Sequence, residues 1–278
     1  MREVAYLSPT SIGIFYEDMD KFYLMYLATE RVPRTPQTKP MSIGSSFDAY
    51  VKSYLHSALF GAGHDVKYSF EALFEAQVEA HNRDWAREHG KHVFDTYKRL
   101  GALVDLMLQL GKAIGKPRFE FEVRGVVDGR VEGIESTMHG VTLLGRPDCF
   151  FVNEEGAHVI LDWKVNGYCS DHTTSPMKGY ARLREDGKFP MPHKDAVLTK
   201  VDGMWINSGA HLENLHEDCA KQLSIYAWLC GEDIGSNFIN VVHQIVCKPG
   251  VPVQLRVAEH ALRTSRNYQV ELFKKILG

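Results

Sequence analysis

The stretch GRPDCFFVNEEGAHVILDWK, residues 145–164, decides how this chain is read. Two β-rich runs, 141–152 and 157–165, flank Glu154, Glu155 and Gly156. A three-residue loop ending in Gly fits a hairpin whose last loop position is left-handed. If those residues form the loop, Asn153 pairs with Ala157, and counting outward sets Asp148 opposite Asp162. Directly opposite residues share a face with Cβ atoms roughly 5 Å apart. Side chains alternate along a strand, so Asp162 and Lys164 project to that face and Trp163 turns the other way. Two carboxylates this close need a cation between them or a proton on one. A hard divalent ion such as Mg²⁺ or Mn²⁺ suits an all-oxygen site. The same spacing also fits a solvent-facing Asp in each strand, with Lys164 paired to one of them.

Composition bounds the alternatives. With 278 residues, 44% hydrophobic and 24% charged, the chain reads as an ordinary globular protein with one domain over 1–278. The N-terminus lacks an apolar signal core, and no apolar run approaches the roughly 18 residues that span a bilayer. A cytoplasmic protein with no membrane partner is expected. Cys149, Cys169, Cys219, Cys230 and Cys247 are scattered, which suggests neither a disulfide framework nor a zinc site. A net charge of −3 does not advertise a polyanion partner, although basic residues can still line one cleft.

Along the chain, Ser8 and Pro9 open a helix whose apolar stripe runs through Ile12, Phe15, Phe22, Tyr23, Tyr26 and Leu27. The Pro-rich segment 31–40 reads as a connector. Helical spacing of Phe47, Val51, Tyr54, Leu55 and Ala58 then predicts a helix that carries Asp48 beside its apolar stripe. Two further helices are predicted over 70–89 and 92–114, completing a helical part over 1–116. Alternation of Phe119, Phe121 and Val123 with charged residues predicts a strand with Glu120 and Glu122 on one face. The sheet region is placed at 117–165. Segment 166–213 reads as an insertion, with Asp202-Gly203 at the tip of a small hairpin. It holds six Lys/Arg and six Asp/Glu, so it is no basic patch; Lys178 and Arg182 belong to a local cluster that fits either phosphate contacts or a solvated loop. A helix over 215–230 ends at Gly231 and stacks Gln222 and Tyr226 one turn apart. Strand, turn, strand and helix complete the chain: 237–247, Pro249-Gly250, 251–257 and a run through Leu277.

Pro147-Asp148 followed by Asp162-Trp163-Lys164 resembles the PD-(D/E)XK nuclease signature. Gly145-Arg146-Pro147-Asp148 is the form seen in its RecB-like branch, which includes phage-type enzymes. The opening helix, Gly44–Asp48 and the Gln222–Tyr226 pair fall in the same order as motifs of that branch. The resemblance implies an α/β fold, a mixed central sheet flanked by helices, like restriction endonucleases. It also implies a Mg²⁺- or Mn²⁺-dependent deoxyribonuclease, most simply an exonuclease of DNA recombination, repair or phage DNA processing. DNA would be its partner, together with a recombination or replication protein, in a bacterial or phage-infected cell. Asp48, Asp148, Asp162 and the Trp163 carbonyl would hold metal, Lys164 would act on water or phosphate, and Gln222 and Tyr226 would meet substrate. Asp48 stands where the family has His. Glu120 and Glu122 take a looser place as ligands or as a solvated strand face. Relatives with an iron–sulfur cluster use four cysteines, one near the N-terminus; the first here is Cys149, so no cluster is expected. The Asp48 departure and the acidic charge leave a second reading open, a non-cutting DNA-end-binding or assembly protein on the same fold.

Overall fold

The computed structural model describes residues 3–127, 140–166, 168–169, 197–201, 204–208, 211–214, 216–231, 237–246 and 256–277. Ser8 starts helix α1 (Pro9–Glu17) through a reciprocal capping box with Ser11. Asp18 ends α1 and caps a short α2 (Met19–Phe22), which passes into a π-turn at Tyr23–Leu27. This break splits the expected stripe: Ile12 and Phe22 are buried, whereas Phe15 and Tyr23 are exposed.

After the connector comes α3 (Lys39–Phe60), which buries Ile43, Phe47, Val51 and Leu55 at four-residue spacing. The two long helices expected next are four segments. These are α4 (Phe70–Gln77), a 3₁₀ turn at Ala80–Asn82, α5 (Arg83–Arg99) and α6 (Ala102–Gly111). Gly101, at φ 86°, takes the left-handed step that separates α5 from α6.

The predicted strand through 119–124 does not run continuously. Strand β1 (Ile114–Phe119) ends where Glu120 adopts φ 43°, and β2 (Val123–Val127) starts a separate ribbon with β3 (Val141–Gly145). A left-handed turn at a non-Gly residue overrides the two-residue apolar period here. The expected hairpin forms between β4 (Cys149–Val152) and β5 (His158–Asn166), with Gly156 at φ 79° in the loop. Residues 141–145, placed in the same arm by sequence, pair with β2 instead.

The remaining elements are β6 (Val197–Val201), β7 (Met204–Ser208), α7 (Glu217–Gly231), β8 (Phe238–Val246), β9 (Arg256–Leu262) and α8 (Arg266–Leu277). Gly231 is the last residue of α7 rather than the position beyond it. Strand β9 begins within the expected strand 251–257 and continues through 258–262, where the last helix was expected to start. Among the described residues the main sheet has strand order β1-β4-β5-β8-β9-β7-β6. It is mixed, with β5–β8 and β7–β9 parallel and the other pairs antiparallel. The β6–β7 pair therefore extends the sheet at the edge opposite β1.

Helices cover both faces of the sheet. Phe47, Tyr97 and Leu106 from α3, α5 and α6 pack with Phe151, Leu161, Trp163 and Ile245 on one face. Leu223, Tyr226 and Ala227 of α7 pack with Ile160, Phe238 and Val242 on the other. Burying each large side chain contributes about 1.5–3 kcal/mol before entropy is counted. The result is an α/β fold with a mixed sheet flanked by helices. At the β1 edge the ladder is irregular: the register shifts between Ile114 and Arg118, with Gly115 at φ 78° and Pro117 between them.

Candidate functional site: an acidic cluster at the end of the hairpin

The β4–β5 register pairs Cys149 with Leu161, so its continuation sets Asp148 opposite Asp162 as the sequence predicts. Asp148 lies just before β4, and its carboxylate turns to the strand edge. There Oδ2 accepts the Trp163 N–H at 3.1 Å. In an extended strand a residue's N–H and C=O point to the same neighbour. The Trp163 carbonyl therefore leaves β5 on the side of Asp148.

Asp148 Oδ1 meets a residue that sequence reading missed. Lys52 on α3 donates from Nζ to Asp148 Oδ1 at 2.8 Å, to Asp48 Oδ2 at 2.5 Å and to the Glu120 carboxylate. Its side chain is completely buried, while the three carboxylates keep between 16% and 22% of their surface open. Asp48 and Lys52 lie one helical turn apart, so the only signal in sequence was an ordinary i,i+4 pair. The left-handed turn at Glu120 brings that carboxylate in, and its N–H donates to the Asp148 carbonyl at 3.2 Å. One carboxylate oxygen from each of Asp48, Glu120 and Asp148 lies within 4.8 Å of the other two. That spacing fits oxygens around a single hard cation bound at about 2.0–2.6 Å.

Asp162 and Lys164 form an ion pair on the α7 side. Asp162 is only 4% exposed, and its Oδ1 accepts from Gln222 Nε2 at 3.5 Å. Gln222 Nε2 also donates to the Tyr226 hydroxyl at 3.2 Å, so the expected stack forms and reaches the acidic residues. Gly145 lets α7 come this close: a Cβ there would lie 2.8 Å from Leu229 Cδ1 and 2.9 Å from Tyr226 Cδ1. Arg146 pairs with Glu122 at 2.6 Å and lies 3.9 Å from Glu120. Glu122 is thus held outside the cluster, exposed, and the break after β1 ends its expected partnership with Glu120 on one strand face. Lys178 and Arg182 fall outside the described residues.

The electrostatics set the carboxylates apart. Burial pushes Asp48 up to about 8, against the pull of Lys52 and with the charges of Asp148 and Glu120 adding to it. Burial likewise pushes Asp162 up to about 7, opposed by Lys164 and reinforced by Asp148. Burial also works to raise Asp148, but Lys52 and Lys164, with the Trp163 N–H, outweigh it and hold Asp148 below the usual carboxylate range. Burial works to lower Lys164, yet Asp162 and Asp148 hold it above its ordinary value. Four carboxylates thus share two ammonium groups, and the fully buried Oδ1 of Asp48 has no hydrogen-bond partner. The cluster is an acid-rich site with spare acceptor capacity for a cation.

No family model matches this chain, and no curated protein matches it. Among solved structures, one titled "Crystal structure of SSO0001" matches at 10% identity, covering 96% of this chain and 84% of that one, with a TM-score of 0.29. A likeness at that level carries no argument about function. No helix among the described residues is long and apolar enough to cross a membrane.

Proposed function

We propose that this protein is a divalent-metal-dependent deoxyribonuclease of the PD-(D/E)XK type, an exonuclease serving DNA recombination, repair or phage DNA processing. The observation that supports it is the meeting of Asp48, Glu120 and Asp148 within 4.8 Å at the end of the hairpin that carries Asp162 and Lys164. The donor set is all oxygen and partly open to solvent, and Asp48 keeps an unpartnered buried oxygen, so the residues fit Mg²⁺ or Mn²⁺. Asp48, Glu120 and Asp148 would hold the ion, with Asp162 and the Trp163 carbonyl beside them. A bound divalent ion supplies a water of lowered pKa and screens the phosphate. Lys164, two residues from Asp162 on β5 and paired to it, would meet the charge that grows on the phosphate as the water oxygen bonds to phosphorus and the sugar oxygen leaves. Gln222 holds Asp162 in place and Tyr226 braces Gln222.

The test is end-labelled blunt, nicked and single-stranded DNA incubated with Mn²⁺. Cleavage is expected, and Lys164→Ala reduces it about 10²–10³-fold while the circular dichroism spectrum stays that of the wild type. No cleavage by the wild type, or undiminished cleavage by the variant, refutes the proposal. A second reading, a non-cutting DNA-end-binding protein, is favoured by Lys52, which pairs with all three carboxylates in the absence of a metal. Calorimetry separates the two, since that protein takes up no Mn²⁺ at these carboxylates.

A further inference from the structure

Lys52 occupies the point where the three carboxylates converge. Its ammonium offers three N–H donors, and Asp48, Glu120 and Asp148 each accept one. Ammonium on a Lys is a compact point charge, so it fills the space between the oxygens much as a small cation does. A divalent ion bound to the same oxygens would sit against Nζ, and two cations at that separation repel strongly in a buried site. One position cannot hold both. The carboxylates are the partly open members of the group and Lys52 is the fully enclosed one, so an incoming ion approaches from the carboxylate side.

We propose that Lys52 is a tethered cation that holds the metal position in the metal-free protein, and that a divalent ion binds only by displacing its ammonium from Asp48, Glu120 and Asp148. Lys52 thereby sets the metal affinity of the site and keeps the folded protein intact before metal arrives. This rests on the metal-dependent reading above, and it assigns Lys52 a positioning role rather than contact with substrate.

The experiment titrates Mn²⁺ calorimetrically into the wild type and into Lys52→Met, and follows melting of both in chelator and in Mn²⁺. Lys52→Met is expected to bind Mn²⁺ at least about tenfold more tightly, which corresponds to a difference of about 1.4 kcal/mol. It melts below the wild type in chelator, and its melting temperature rises more than that of the wild type when Mn²⁺ is added. Equal Mn²⁺ affinities overturn the inference and leave the metal site standing. Uptake by neither protein overturns the inference and the metal reading together. Should Lys52→Met not fold, the wild type decides alone. Amine acetylation read by peptide mass spectrometry leaves Lys52 unmodified in chelator and modifies it at saturating Mn²⁺. Protection that persists at saturating Mn²⁺ overturns the displacement.

Discussion

On the α5 side of β5, Trp163 Nε1 donates to the Tyr97 hydroxyl at 3.3 Å. The hydroxyl contacts His243 Nδ1 at 2.7 Å, and His243 Nε2 reaches Glu259 at 2.9 Å. On the other side and along the strand edge, Asp162, Asp148, Asp48 and Glu120 crowd around Lys164 and Lys52. Both regions bury polar groups, but the first forms a chain in which each named group has a partner. The second holds more acid than base and leaves Asp48 Oδ1 unpartnered. A satisfied network fixes a strand in place, whereas one in charge excess stores a preference for an added cation. The difference separates what holds β5 from what β5 presents.

The largest expected effect probes the acidic side. Asp148 is held in its charged form by the fold, whereas Asp48 and Asp162 are pushed toward their neutral forms. In chelator at pH 8, Asp148→Asn should cost about 3 kcal/mol, because it strips a charge partner from buried Lys52. Asp48→Asn and Asp162→Asn, which remove charges that the fold disfavours, should instead raise the melting temperature. Urea melts showing one sign for all three would break the contrast.

A second effect lies on the same face, where His260 Nε2 contacts Gln244 Oε1 at 3.2 Å. Burial, aided by His243, pulls His260 from 6.5 down to about 4. Its depressed value favours the neutral ring in the fold, so the contribution is complete above pH 6.5 and lost as pH falls through about 4. At 1.36 kcal/mol for each pH unit, the loss approaches about 3 kcal/mol. His260→Gln should remove this part of the acid sensitivity, seen as a wild-type-minus-variant difference that grows between pH 6.5 and 4. A constant difference would rule it out.

The smallest effect belongs to the network. Tyr97→Phe leaves Trp163 Nε1 and His243 Nδ1 without the hydroxyl, a cost of about 1–2 kcal/mol. The loss should be equal in chelator and in Mn²⁺, because this side has no part in holding the proposed ion. A Mn²⁺-dependent loss would show that the two sides are coupled.

The hairpin was legible because its signals are local: a Gly-ended loop and alternating strands fix the register, and register alone puts Asp148 opposite Asp162. Gln222 and Tyr226 were legible for the same reason, since helical spacing stacks them whatever they pack on. Lys52 was not. Nothing in its neighbourhood distinguishes it from a surface partner of Asp48, and only the arrival of Glu120 and Asp148 from 68 and 96 residues away buries it. Glu120 was read as a strand residue because Phe119, Phe121 and Val123 alternate. Backbone torsion at one residue overrode that pattern and sent Glu120 and Glu122 to different partners. The β6–β7 hairpin shows the same limit at larger scale, since its turn chemistry was plain but its docking beside β9 depends on contacts that sequence spacing does not encode.

The broken edge of β1 has its own consequence. A regular outer strand would offer another chain an unbroken row of donors and acceptors to zip onto. Pro117 supplies no donor, and the shifted register around Gly115 spoils the rest of the row. The margin of the sheet nearest the acidic cluster therefore resists being lengthened by a foreign β-segment.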